Sequence, residues 1–224
     1  MLQPDAILFD LDGTFADTAQ DLAFALNEVL NSQGKERLAF ELIRPVVSKG
    51  APGLLKLGFN LNPGDREYDI LRDRLLTIYE RNLCRKTVLF KGIEDTIEYL
   101  EKNGLPWGIV TNKPEFLTTP LIKQLSLEER ASVVISGDTF SEKKPHPMPL
   151  LEACRIINIE PQNVWYVGDD ERDVIAANAA KMTSVAALWG YFSKKENPEN
   201  WKATLCFSDA TALLNYLKQL PTKI

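Results

Sequence analysis

The chain has 224 residues, 45% hydrophobic and 25% charged, proportions that suit one sizeable core or a core plus a small lobe. Acids outnumber bases 31 to 26, and a net charge of −5 argues against a nucleic-acid surface, which needs clustered Lys and Arg. No apolar run reaches the roughly 18 residues of a membrane span, and a single histidine, His146, excludes any mechanism or metal cage built on several. The N-terminal Met1-Leu2-Gln3-Pro4-Asp5 lacks a basic and apolar leader pattern. Three scattered cysteines (Cys84, Cys154, Cys206) offer neither a disulfide framework nor a zinc motif, so a reducing cytoplasm is the expected compartment.

In chain order, residues 6–11 form the first apolar run read as a strand. Residues 17–32 follow as a helix with Leu22, Leu26, Val29 and Leu30 on one face, closed by Gly34. Residues 65–83 carry a second helical stripe through Tyr68, Leu71, Leu75, Ile78 and Tyr79. A helix at 93–103, stopped by Gly104, leads to a strand at 106–111, and a third strand is read at 133–136. Residues 147–157 read as a helix, 164–167 as a strand, 172–180 as a helix and 184–188 as a strand. Residues 194–201 are a polar loop, and Ser208 is the expected cap of a helix over 209–217.

Apolar runs without alternation indicate strands buried on both faces, hence an α/β fold with a Rossmann-like parallel sheet. The gap between the first two strands is several times a normal crossover and is itself helical. The expected organisation is a discontinuous core of residues 1–15 and 88–224, with a small helical cap at 16–87. Such a lobe would sit over the carboxyl ends of the strands, where open α/β sheets bind ligands.

Four strand ends carry chemistry. Asp10 and Asp12 follow the first strand with one residue between them, so both can point the same way. Two such carboxylates are tolerable beside a cation. Gly13 permits a sharp turn, and Thr14 can donate to a carboxylate. Thr111 and Asn112, ending the second strand, can hold an oxyanion, although a plain turn would use the same residues. Lys144, before a helix start, can neutralise a phosphate. Asp169, Asp170 and Asp173 follow the strand at 164–167; hard oxygen ligands there suit Mg²⁺, and an acidic helix cap is a compatible reading. His146 between two prolines shapes a loop, the cysteines read as buried small hydrophobes, and Trp107 and Trp165 as core.

The ordered set ILFDLDGT with Asp17, IVTN, Lys144 and GDDERD resembles the haloacid dehalogenase-like hydrolase superfamily across nearly the whole chain. The resemblance implies that Asp10 is the nucleophile and Asp12 the general acid and base. It implies Mg²⁺ on Asp10, the Asp12 carbonyl and Asp169, with Asp170 and Asp173 in the surrounding layer. Thr111, Asn112 and Lys144 would hold phosphoryl oxygens. An acid at position 12 favours a phosphomonoesterase or a phosphomutase, because it serves to protonate an alkoxide leaving group. TNKP, KKPHP and the cap stretch Ser48-Lys49-Gly50-Ala51 are similar to the phosphoglycolate phosphatase-like branch. Ser48, Lys49 and Gly50 become candidates for specificity. With ENPENW, the pattern looks closest to N-acetylmuramic acid 6-phosphate phosphatases. One departure lies at Ala180-Lys181-Met182, where the branch commonly has Gly; a left-handed Lys there costs about 1–2 kcal/mol.

The expected partner is a small phosphorylated metabolite, with no nucleic acid and no membrane, and monomer and dimer stay open. Two rivals also stay open. A phosphomutase keeps both aspartates, and a phosphorylation-dependent signalling module also places acids, Thr and Lys at strand ends.

Overall fold

A computed structural model describes residues 3–193 and 196–221. Its strands are β1 (Ala6–Phe9), β2 (Ala16–Asp17), β3 (Val88–Leu89), β4 (Trp107–Val110), β5 (Val133–Ile135), β6 (Val164–Gly168), β7 (Thr183–Ala187) and β8 (Leu205–Phe207). The helices are α1 (Ala19–Ser32), α2 (Phe40–Ile43), α3 (Gly50–Phe59), α4 (Tyr68–Glu80), α5 (Ile93–Lys102), α6 (Glu115–Gln124), α7 (Met148–Ile157), α8 (Glu171–Ala179) and α9 (Ala210–Gln219). Six strands make a parallel sheet in the order β5-β4-β1-β6-β7-β8. The fold is α/β with a Rossmann-like core.

Side chains alternate across β1, so its two faces belong to two separate cores. Ile7 and Phe9 join a cluster with Ile97 of α5, Leu213 of α9 and the buried stripe of the helical insertion. Ala6 and Leu8 join Leu150 of α7 and Ala176 of α8 on the other side. All four β1 side chains are fully buried, which explains the unbroken apolar run.

The chain steps outward from β1 to β4 and β5, then returns to the opposite edge of β1 with β6, β7 and β8. That reversal opens a crevice at the carboxyl ends of β1, β4 and β6. Helices α1 to α4 all lie between β1 and β4. The antiparallel ribbon of β2 and β3 brings the two ends of this insertion together, pairing Ala16 with Leu89 and Asp17 with Val88. Buried Asp21 of α1 accepts from the backbone N–H groups of Lys86 and Thr87 and from the Thr87 hydroxyl, tying the exit of the insertion to its first helix.

Several expectations shift by local chemistry. Helix α1 begins at Ala19 because Asp17 is in the ribbon, and α4 covers only the middle of 65–83. The cap of α9 is Asp209, whose carboxylate accepts from Ala212 N–H at 2.8 Å; Ser208 stands one position too early and donates to Asp209 instead. Helices α2, α3 and α6 and strand β8 were not expected. Of the three thiols only Cys154 is buried; Cys84 is half-buried and Cys206 exposed, so the reading of all three as core is corrected. Lys181 is left-handed, at φ 61°, the conformation that favours glycine. Within the polar loop, residues 194 and 195 lie outside the described residues, as do Met1 and Leu2, and Pro198–Trp201 forms a 3₁₀ turn. Among the described residues no helix is long and apolar enough to cross a membrane.

Candidate active site

Asp10 leaves β1 with its N–H bonded to Val167 O of β6, so it stands at the crevice between the two central strands. Asp169 follows β6, and Asp173 sits in the first turn of α8. Carboxylate oxygens of these three buried acids all lie within 4.8 Å of one another. Glycines make the packing possible. A Cβ at Gly13 or Gly190 would run into Asp169, and one at Gly168 into Asp173; Gly13 is also left-handed, at φ 89°.

One ammonium enters this group. Lys144 Nζ lies 2.8 Å from Asp10 Oδ1 and 2.7 Å from Asp173 Oδ1, and donates to Tyr166 Oη at 2.7 Å. Burial opposes charge on Lys144, but Asp10 and Asp173 overcome it and raise its proton affinity. Three acids against one lysine remain over-negative. Burial, then the charges of Asp10 and Asp173, push Asp169 well above the usual carboxylate range. Burial likewise moves Asp173 up to about 6 despite Lys144. Asp169 accepts from the Thr14 hydroxyl at 2.9 Å, the Ser48 hydroxyl at 2.7 Å and Tyr191 N–H at 2.7 Å.

The buried Asp10 Oδ1 has the Lys144 ammonium, at 2.8 Å, as its partner. Lys144 offsets part of the charge on that oxygen, but one ammonium does not balance three buried acids, a deficit that a further cation would fill. Hard carboxylate oxygens in this number and spacing fit a divalent ion such as Mg²⁺.

The Asp12 side chain is separate from that cluster. It accepts from the Thr18 hydroxyl at 2.6 Å and from Lys113 Nζ at 3.0 and 3.3 Å. Asp170 is also elsewhere engaged. It caps α8 in a reciprocal box with Asp173 and receives Arg172 and Lys49. Burial would raise Asp170, but Arg172, with help from Lys49, holds it well below the usual carboxylate range. Thr111 Oγ1 accepts from Lys113 N–H, while Asn112 grips the Lys144 peptide, donating to its carbonyl at 2.8 Å and accepting its N–H at 3.0 Å. Thus Asp10, Lys144, Asp169 and Asp173 form one buried cluster. Asn112 is bonded to the backbone that carries Lys144.

The insertion reaches the site through Ser48 on Asp169 and through Lys49, which pairs with Asp170 at 3.0 Å and Glu196 at 2.8 Å. Arg172 donates back to Ser48 O, and Arg44 donates to Gly190 O and Trp189 O beneath the Tyr191 ring. Gly50 is left-handed, at φ 63°, just after this pair.

Sequence reasoning missed Lys113, Tyr79 and Tyr191. Lys113 had a signal, since it stands two residues past Thr111 at a strand end and shares its side of the chain. Tyr79 had none, because a tyrosine in a helical stripe reads as core. His146 forms a loop contact, accepting from Met148 N–H.

A haloacid dehalogenase-like hydrolase family model matches residues 7–187. A phosphoglycolate phosphatase of Xanthomonas campestris pv. campestris is 45% identical over 89% of this chain and 90% of its own. An N-acetylmuramic acid 6-phosphate phosphatase of Pseudomonas putida is 37% identical, covering 88% and 89%. The crystal structure of a predicted phosphoglycolate phosphatase from Haemophilus somnus superimposes with a TM-score of 0.85 at 26% identity, over 96% of this chain and 99% of that one.

Proposed function

The chain belongs to the haloacid dehalogenase-like hydrolase family, and from that premise we propose that it is a Mg²⁺-dependent phosphomonoesterase that works through an aspartyl-phosphate on Asp10. The observation that carries this reading is the buried cluster of Asp10, Asp169 and Asp173 served by a single lysine, with a second aspartate two residues on from Asp10 held apart from it.

In the first step an Asp10 oxygen attacks phosphorus, the bond to the leaving oxygen breaks, and Asp12 gives that oxygen its proton. In the second step Asp12 takes a proton from water, the water oxygen attacks phosphorus, and Asp10 leaves as carboxylate with phosphate released. Lys144 and the Thr111 hydroxyl hold phosphoryl oxygens where charge accumulates. Asn112 supports them by fixing the Lys144 peptide. Asp10 and Asp169, with the Asp12 carbonyl, would hold Mg²⁺, with Asp173 and the Asp170 turn ordering the layer around it. When bound, the ion offsets the repulsion between an anionic nucleophile and an anionic phosphate.

Residues 16–87 act as the cap on a core of 1–15 and 88–224, and Ser48, Lys49 and Gly50 read the part of the substrate beyond its phosphate. The substrate class is a small phosphorylated metabolite, with 2-phosphoglycolate and N-acetylmuramic acid 6-phosphate first in line on the names of the relatives. Three free thiols suit a reducing cytoplasm. The test is Mg²⁺-dependent phosphate release from these two, from hexose phosphates, from nucleotides and from pyrophosphate. Release from one of the first two is expected to be fastest. An isomerised sugar phosphate without free phosphate would overturn the hydrolase reading in favour of a mutase. A stable phosphoprotein without product would overturn it in favour of signalling.

A further inference from the structure

Lys113 is a buried lysine to which the reaction scheme above gives no work. Its side chain is 5% exposed, and burying an ammonium is unfavourable unless it is paired. Its partners are all functional or come from the insertion. Nζ donates to both Asp12 oxygens at 3.0 and 3.3 Å, and to Tyr79 Oη at 2.9 Å. It also lies 4.4 Å from the centre of the Tyr79 ring. Tyr79 ends the buried stripe of α4 and is itself fully buried, 34 residues before Lys113 in the chain. Thr18, at the start of α1, supplies the other hydrogen bond to Asp12.

The Asp12 carboxylate therefore has one grip from the entry of the insertion and one from Lys113, which α4 in turn holds in place. A carboxylate with two fixed donors has a defined orientation, and proton transfer to a leaving oxygen depends on that orientation. We infer that Lys113 is a positioning residue for Asp12, and that Tyr79 lets the helical insertion set the aim of the proton-transferring carboxylate. Neither residue touches substrate in this scheme.

This inference rests on the phosphatase reading, and the test separates the two. Values of kcat/KM are measured with Mg²⁺ on p-nitrophenyl phosphate, whose leaving group needs no proton, and on two alkyl phosphates that do, 2-phosphoglycolate and β-glycerophosphate. Lys113→Met is expected to lose about tenfold or more on both alkyl esters relative to its loss on the nitrophenyl ester. Lys113→Arg is expected to recover part of that gap. Tyr79→Phe, which keeps the ring and removes the hydroxyl, is expected to show the same selective loss at smaller size. Equal losses on all three esters would mean a merely structural lysine and overturn the inference. A loss confined to 2-phosphoglycolate would overturn it too, by making Lys113 a ligand of the substrate carboxylate. An unchanged Tyr79→Phe would remove the link to the insertion. Wild-type protein that releases phosphate from none of the three would overturn the phosphatase reading itself.

Discussion

Asp10 and Asp12 stand two residues apart on one strand end and live in opposite surroundings. Asp10 is packed against Asp169 and Asp173 and shares Lys144 with Asp173. Asp12 has its own lysine and a threonine hydroxyl, and its contacts lead into the helical insertion. The first environment is short of positive charge; in the second the carboxylate is paired one to one. On the proposed scheme, two carboxylates whose surroundings diverge in this way divide the labour of one reaction. In that scheme the over-negative side takes the cation and the phosphoryl group, and the paired side carries the proton.

The division can be broken most severely at Asp10. Asp10→Asn removes the nucleophile and is expected to lower Mg²⁺-dependent phosphate release by about 10³-fold or more. Near-normal turnover would put the nucleophile elsewhere. Asp12→Asn should leave the nucleophile and remove the proton carrier, with a loss of about 10²- to 10⁴-fold. Its distinguishing mark is a phosphoenzyme that outlives that of the wild type in rapid quench, because the water that hydrolyses it has lost its base.

A gentler test sharpens the contrast without mutation. Asp173 binds its proton more tightly in the fold than in the unfolded chain, where its pKa is near 4. A raised acid contributes stability below that unfolded value and loses it as the pH climbs through about 6. Metal-free protein should therefore lose this contribution between about pH 4 and pH 6. Asp169, one of the carboxylates that would hold Mg²⁺, is raised as well, so the ion must displace a proton there, and its stabilisation should be larger at about pH 7.5 than at about pH 5.5. At a hundred times its dissociation constant the ion adds about 2.7 kcal/mol. Thermal melts with and without Mg²⁺ at the two pH values measure this. Equal shifts at both would mean that the acid cluster is not the site.

The smallest effect is expected at the helical insertion. Lys49 is partly exposed and already paired with Asp170 and Glu196, so its removal should cost the fold no more than about 1 kcal/mol. Lys49→Ala should change the ranking of natural substrates by several-fold while leaving p-nitrophenyl phosphate hydrolysis within about twofold. Equal losses on every substrate would take Lys49 out of specificity.

What was legible in the sequence follows from how local its cause was. The central strands announce themselves because both faces are buried, and each ends on the residue it presents. That is why Asp10 and Asp169 are legible in the sequence, whereas Lys144, in the loop between β5 and α7, is legible only from its place before a helix start and from the family motif. Asp173 was legible as an acid of the site, but its place inside the carboxylate cluster depends on the cap box of α8, which turns one of its oxygens to Asp170 N–H and leaves the other for Lys144. Helix α3 hides behind Pro52 and its glycines, and α6 behind the interior Pro120. The ribbon of β2 and β3 is two residues a side, too short to carry a period. The grip of Lys113 on Asp12 needs a tyrosine from another part of the chain, and no spacing rule reaches that far.

The most direct measurement is acid quenching of wild-type protein during turnover of a phosphomonoester with Mg²⁺, followed by peptide mapping of the acid-stable phosphoryl group. The account predicts a phosphoryl group on Asp10, absent from Asp10→Asn and persistent in Asp12→Asn. A phosphoryl group on any other side chain, or steady turnover with none on Asp10 in Asp12→Asn, would contradict it.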